Sequence, residues 1–202
     1  MKKVIYVLSV LALSHIFISC FSTSSGEKSA LEELIAPDPK VNFKKVNIED
    51  LYSMKIPDFM TVTTQLQEDA SLQYSNPFKG KYVTVLDEKR EDVKQFMNDF
   101  GLYDNAKSML ENYVDTRLSY LKESGISIFE ETELESVMIN GRKAYSVQIN
   151  GTIPEVPDDI AYFFTYIEGK DHFYMITSWT LLARKSAYID EVDEMVNSFK
   201  EL

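Results

Sequence analysis

The stretch IAYFFTYIEGKDHFYMITSW, residues 160–179, determines the fold class of this chain. It predicts two strands, residues 160–168 and 171–179, joined by a two-residue turn at Gly169-Lys170. Such a turn places Ile160 opposite Trp179 and makes both faces of the hairpin largely apolar. Strands that are apolar on both faces belong in the middle of a sheet that is covered on each side. We therefore expect an antiparallel hairpin at the centre of the sheet.

Helical periodicity supplies the elements that would cover this sheet. Apolar residues recur at intervals of three and four in three segments, at residues 93–100, 106–121 and 192–199. Strand signals precede the first of these helices, at residues 52–56, 72–74 and 81–86. This order of elements predicts an α+β fold, in which helices flank an antiparallel β-sheet as an α/β/α sandwich.

A second hairpin is predicted around Asn140-Gly141, a strong two-residue turn signal. With that register, one face is polar and acidic, and it carries Glu131, Glu133 and Glu135. We expect the hairpin to lie at a sheet edge, where these carboxylates form a candidate acidic interaction face for a basic partner or Ca²⁺. The alternative interpretation is a solvated edge that resists aggregation through like charge. The chain contains no Asp-x-Asp-x-Asp-Gly loop, and we predict no dedicated metal site.

The N-terminus has the pattern of an export signal. Lys2 and Lys3 precede an uncharged run at residues 4–18, which is too short for a comfortable membrane span. The run ends at Ser19-Cys20, and this arrangement resembles a bacterial lipoprotein signal whose cysteine is acylated. The alternatives are an ordinary signal peptide with a chance cysteine and an uncleaved anchor. We predict a lipoprotein signal peptide at residues 1–19, a lipidated tether at 20–42 and a single globular domain at 43–202.

Composition excludes several classes of function. Nucleic-acid-binding proteins usually carry a basic surface, whereas this chain is acidic, with a net charge of −11. We therefore expect no nucleic-acid partner. The single Cys excludes a disulfide framework and a cysteine-based zinc site. Anionic headgroups would repel an acidic domain. We therefore expect lipid on Cys20 to hold the protein to the membrane. Phe21, in place of an aspartate retention signal, favours the outer membrane of a bacterial cell envelope.

The order of elements resembles the PsbP-like fold over residues 43–202. Four segments carry the resemblance, namely Ile56–Met60, Asp69–Tyr74, His172–Thr180 and Met195–Lys200. That fold is shared by the extrinsic photosystem II subunit, a eukaryotic Ran-binding import factor and many bacterial lipoproteins of unknown function. The resemblance implies an accessory or adaptor protein, and it offers no catalytic motif to match.

The residues available for chemistry are few. Once residues 1–19 are removed, His172 is the only histidine, and it is expected at a hairpin end. The chain has no Gly-x-Ser-x-Gly motif and no phosphate-binding glycine loop, so we predict no cofactor and no catalytic residue.

We therefore expect a membrane-anchored, non-enzymatic accessory or binding lipoprotein with an unidentified envelope protein or ligand as its partner. Two alternatives stay open. The first is a carboxylate-based hydrolase acting on an envelope polymer, which requires two acidic residues in a cleft. The second is a small-ligand carrier with an apolar pocket between sheet and helices.

Overall fold

The structure is a computed structural model that describes residues 40–154 and 156–202. The predicted signal peptide and Cys20 lie outside the described residues. The strands are β1 (Phe43–Ile48), β2 (Tyr52–Pro57), β3 (Thr61–Val62), β4 (Leu72–Asn76), β5 (Lys81–Lys89), β6 (Ser127–Glu131), β7 (Glu135–Ile139), β8 (Arg142–Thr152), β9 (Ile160–Glu168), β10 (His172–Leu181) and β11 (Lys200–Glu201). The α-helices are α1 (Arg90–Asp99), α2 (Met109–Glu123) and α3 (Lys185–Asn197).

The strands form two sheets, and their paired strands are antiparallel. The main sheet has the order β3-β4-β5-β10-β9-β8-β6, with β7 pairing β8 beside β6. The small sheet has the order β1-β2-β11. The predicted α+β class is confirmed, and β9 and β10 occupy the centre of the main sheet as the apolar pattern indicated.

Two cores cover the two faces of the main sheet. On one face, Tyr162, Phe164 and Trp179 pack against buried residues of α1 and α2. On the other face, Phe163 and Ile176 pack against α3 and the small sheet. The strand at residues 52–57 therefore does not join the main sheet but helps to cover it, because Tyr52, Met54 and Ile56 are all buried in this second core.

The register of the central hairpin differs from the predicted one by two residues. Trp179 lies opposite Tyr162 rather than Ile160, and the pairing begins at Glu168 opposite Phe173. Because the shift is an even number of residues, every side chain keeps its predicted face. The connection is thus a four-residue turn, closed by the Gly169 N–H donating to the His172 carbonyl at 2.9 Å.

Long-range contacts explain the wider turn. The guanidinium of Arg90 donates to the carbonyls of Gly169 and Lys170, at 3.1 and 3.2 Å. The carboxylate of Glu201 accepts from the Lys170 N–H at 2.8 Å. These partners lie on α1 and β11, far from the turn in the chain, so the local sequence carries no sign of them.

Helix boundaries follow their caps. The side chain of Ser108 accepts from the Glu111 N–H while the Glu111 carboxylate accepts from the Ser108 N–H, which begins α2 at Met109 rather than at the predicted residue 106. Gly101 and Gly125 follow α1 and α2 in left-handed conformations, as expected for helix ends. Helix α3 begins earlier than predicted, at Lys185, directly after a 3₁₀ turn at Leu182–Arg184.

Candidate functional site

The candidate site is the free edge of the main sheet formed by β6 and β7. Both strands lie along the same side of β8, one after the other. Within the described residues no strand pairs with their outer side. Outward-facing backbone N–H and C=O groups of such an edge are available to another chain. We refer to residues 127–139 as the β6–β7 edge.

The Asn140-Gly141 turn holds this edge in place as predicted. Ile139 pairs with Arg142, and both turn residues have positive φ, 47° and 81°. The Asn140 side chain also donates to the carbonyls of Asn197 and Phe199, at 3.0 and 2.6 Å. The turn is therefore fastened to the end of α3, which makes the hairpin a rigid part of the molecule.

The acidic face is present, but one of its members differs from the prediction. Glu135 lies opposite Ser146, as expected. The break between β6 and β7 shifts the register by one residue, so Asn150 faces Glu130 instead of Glu131. A bulge at Phe129 shifts residues 127–128 by one more. The Asn150 side-chain amide donates to the Glu130 carboxylate, which fixes Glu130 on the same face as Glu135.

Glu131 lies on the opposite face of the sheet. It pairs with Ile149, whose side chain belongs to the core under α2, and it forms an ion pair with Lys122 at 3.1 Å. Glu133 lies exposed in the link between the strands, where the Thr132 N–H donates to the Gln148 carbonyl at 3.0 Å. Glu130 and Glu135 thus share one face of the edge, Glu133 lies in the link, and Glu131, which is also exposed, lies on the other face.

Large apolar side chains accompany these carboxylates on the β6–β7 edge. Phe129 is 54% exposed and Met138 is 63% exposed, and Leu134 between them is also exposed. An edge that serves only to repel other strands needs charge, a bulge and short strands, and it gains nothing from exposed apolar groups. The exposed apolar groups of this edge can be buried against another molecule.

Other ionisable clusters of the structure serve packing. The Tyr113 hydroxyl donates to Glu88 at 2.7 Å, and Arg117 pairs with the same carboxylate while lying over the Tyr113 ring. Burial, together with the Glu88 charge, raises the pKa of Tyr113 well above its usual value. This cluster joins α2 to β5 in the interior of the fold.

The residues considered for catalysis are not brought together. His172 opens β10 opposite Lys89. Partial burial, with the charge of Asp190, raises the pKa of Asp193, but both carboxyls lie on the exposed side of α3 rather than in a cleft. Among residues 40–154 and 156–202, no group of three His, Cys, Asp or Glu side chains is placed to hold a metal ion.

A pocket of about 350 Å³ opens between the Asn140-Gly141 turn and β11. Its lining consists of Ile139, Asn140, Arg142, Phe199, Lys200 and Glu201. Arg142 and Glu201 form an ion pair with each other, and Glu201 also holds the wide turn after β9. Two of the three charged side chains of this pocket, Arg142 and Glu201, thus already act within the fold.

The described residues include no helix that is long and apolar enough to cross a membrane. No family model matches the chain, and no curated protein matches its sequence. Solved structures do match its fold. The yeast Ran-binding protein Mog1p is 14% identical, with a TM-score of 0.53 over 80% of this chain and 96% of that one. The cyanobacterial PsbP of Synechocystis is 9% identical, with a TM-score of 0.53 over 83% and 96%. The chain has a PsbP-like fold.

Proposed function

We propose that this chain is a membrane-anchored, non-enzymatic binding lipoprotein of the bacterial cell envelope. Lipid on Cys20 holds it to the membrane, and we place it at the outer membrane. The β6–β7 edge captures an extended, basic segment of an envelope protein. The observation that carries the proposal is the coincidence, on one open sheet edge, of the carboxylates of Glu130, Glu133 and Glu135 with exposed apolar groups.

Strand addition is the binding mode that this edge supports. An added strand would pair with the open backbone of β6 and β7, which gives affinity without sequence specificity. Side chains of the added strand would alternate between the two faces of the sheet. On one face they meet Glu130 and Glu135, so cationic side chains are favoured there.

Apolar contacts add to this charge complementarity. Met138 lies opposite Lys143, on the face that does not carry Glu135, and its side chain is largely exposed. Burying an apolar side chain of this size contributes about 1.5–3 kcal/mol. A segment that alternates basic and apolar residues therefore fits both faces of the edge. The Ran-binding protein Mog1p has a similar fold, so this fold is compatible with binding a macromolecular partner.

A synthetic peptide of alternating lysine and valine tests this proposal on the full-length chain. We expect the triple variant Glu130→Gln, Glu133→Gln and Glu135→Gln to weaken peptide binding at least tenfold in fluorescence anisotropy, because charge pairs across the interface are lost. The melting temperature should change little, since all three side chains are exposed.

A matched control removes the same amount of charge elsewhere. Glu91→Gln, Asp92→Asn and Asp99→Asn neutralise three exposed carboxylates on α1. This control variant should bind the peptide nearly as well as the wild type. Equal weakening by both triple variants would mean that net charge alone attracts the peptide, and it would contradict a site on the β6–β7 edge.

A further inference from the structure

The pocket between the Asn140-Gly141 turn and β11 lies at one end of the β6–β7 edge. Ile139, the last residue of β7, belongs both to the edge and to the lining of the pocket. It pairs with Arg142 across the two-residue turn. In such a turn the flanking pair exchanges backbone hydrogen bonds, so the alternate residues Ser136 and Met138 direct their N–H and C=O groups outward. A strand bonded to Met138 therefore reaches the pocket with its next residue.

Two cations and one carboxylate line this pocket, namely Arg142, Lys200 and Glu201. The Glu201 side chain is only 10% exposed, and its acceptor positions are in use. It pairs with Arg142, and it accepts from the Lys170 N–H at 2.8 Å and from the Tyr174 hydroxyl at 3.3 Å. Lys200 is exposed, and among residues 40–154 and 156–202 it forms no ion pair. The lining therefore carries one cation that its own carboxylate does not balance.

The charges around the pocket nearly cancel one another. Two ion pairs on neighbouring elements are balanced, Lys55 with Glu194 and Arg90 with Glu168. The other exposed charges belong to β8, to the turn after β9 and to the turn between β1 and β2, and they are Lys143, Lys170, Asp171, Glu49 and Asp50. None of these side chains lines the pocket. The lining itself therefore decides which ligand the pocket prefers.

We propose that this pocket binds the free C-terminal carboxylate of the segment that the β6–β7 edge captures. The inference rests on the proposed function and adds an end point to the captured segment. The Lys200 ammonium and the Arg142 side chain, which is 41% exposed, are charged donors suited to a carboxylate. Ile139 and Phe199 add apolar lining for the last side chain of the segment.

A C-terminus in the pocket also sets the direction of the captured segment. Because β7 itself ends at the pocket, the segment runs parallel to β7. Glu135 begins β7 and Ile139 ends it, and this length corresponds to about 13 Å of extended chain. A basic residue that meets Glu135 is therefore expected about four residues before the C-terminus. Residues of β11 line the pocket on its other side, and a segment that ends here needs no path past them.

Fluorescence anisotropy with the full-length chain tests the carboxylate. The probes are the alternating lysine and valine peptide with a free C-terminal carboxylate and the same peptide with a C-terminal amide. We expect the wild type to bind the free acid about fivefold more tightly than the amide. Lys200→Gln should abolish this preference and leave binding of the amide nearly unchanged, because the amide offers no charge to Lys200. A wild type that binds both peptides equally would overturn the proposal.

Two controls separate this pocket from general attraction between charges. Lys143→Gln removes an exposed cation next to Arg142 but outside the lining, and this variant should keep the preference for the free acid. A third peptide, amidated and with aspartate as its last residue, carries its carboxylate on a side chain and should bind like the plain amide. Loss of the preference in both lysine variants would contradict the pocket. Binding of the aspartate peptide as tightly as the free acid would contradict recognition of a C-terminus.

A nitroxide label on the N-terminus of the free-acid peptide tests the direction. In NMR spectra of the complex, the label should broaden the amide signals of β6 more than the amide signal of Gly141. The reverse pattern would place the N-terminus of the peptide at the pocket and would contradict the proposed orientation.

The pocket and the edge can fail separately in these experiments. If neither peptide binds, capture by the β6–β7 edge is wrong, and the pocket has no segment to receive. If both peptides bind equally and the triple glutamine variant of the edge weakens both, capture by the edge stands and the carboxylate pocket is wrong.

Discussion

Lys81 and Glu191 form an ion pair in the interior of the fold. The ammonium of Lys81 lies 2.6 Å from the Glu191 carboxylate, and both side chains are buried between β5 and α3. The ammonium also lies 5.2 Å from the centre of the Tyr188 ring. Removing one partner of such a pair leaves a charge in a medium of low dielectric, which costs more than the pair itself contributes.

We predict that Glu191→Leu lowers the free energy of unfolding by about 3 kcal/mol, because the buried ammonium of Lys81 loses its ion pair with Glu191. The double variant Lys81→Met with Glu191→Leu should recover most of that loss. Urea denaturation measures both values. A double variant as unstable as the single one would show that the ion pair itself is strongly stabilising.

Glu111 makes folding stability depend on acid pH. Hydrogen bonds from the side chain and backbone of Ser108 lower the pKa of this carboxyl below its usual value. A lowered pKa means that the folded state favours the ionised form, so the contribution is present above the unfolded-state pKa. It is lost as pH falls through the folded-state pKa.

We therefore expect Glu111→Gln to unfold with a weaker dependence on pH in the acid range than the wild type. The amide retains an acceptor for the Ser108 N–H, so the two proteins should differ little once pH is low enough to protonate Glu111. Thermal unfolding followed across the acid range gives the comparison. Parallel curves for the two proteins would show that the cap carries no charge-dependent stability.

At the scale of elements, the turn between β9 and β10 depends on the absence of a side chain at Gly169. A Cβ there would meet the Tyr174 ring at 2.6 Å and the His172 carbonyl at 2.8 Å, as well as the Glu201 carboxylate. Contacts this close force a shift of backbone or ring. The turn, β10 and β11 are consequently coupled through one position.

We predict that Gly169→Ala lowers stability by about 1–3 kcal/mol and speeds hydrogen exchange at the Lys170 N–H, because Glu201 is displaced. Gly141→Ala is the matched control. A Cβ at that position meets nothing within 4 Å, although its φ of 81° makes alanine strained. The control should lose stability without faster exchange at Lys170, and faster exchange in both variants would contradict the coupling.

Side-chain periodicity predicts faces more reliably than it predicts register. The alternation in residues 160–179 assigns each side chain to its observed face, and the 3,4 spacing finds all three helices of the described chain. Register depends on partners that are distant in sequence, such as Arg90 and Glu201 at the wide turn. The pairing of the small sheet could not be predicted from periodicity either, because β2 and β11 come from opposite ends of the domain sequence.

In the candidate site, too, local sequence predicts some features, whereas others depend on distant contacts. The hairpin turn and the position of Glu135 follow from Asn140-Gly141, because that turn sets the local register. Glu130 replaces Glu131 on the acidic face because the link at residues 132–134 shifts the register by one residue, and that link contains no glycine or other local signal. Phe129 and Met138 are largely exposed, and a strand pattern by itself does not tell which parts of a sheet the helices leave uncovered.

At the scale of the whole molecule, the β6–β7 edge forms one side of the eight-stranded main sheet. Strand β3 lies at the other side of this sheet. One core on each face of the sheet supports the strands that carry the β6–β7 edge. We expect an anchored chain of this shape to present its acidic edge to a partner in the envelope.

Photo-crosslinking in intact cells tests this binding function most directly. A benzophenone side chain replaces Met138 on the β6–β7 edge or, as the control, the exposed Gln95 on α1. We predict that position 138 gives one discrete crosslinked partner that position 95 does not give. This product should disappear with the triple glutamine variant of the edge and with Cys20→Ser. An abundant, membrane-bound protein that gives no product from position 138, or the same products from both positions, would contradict the proposed function.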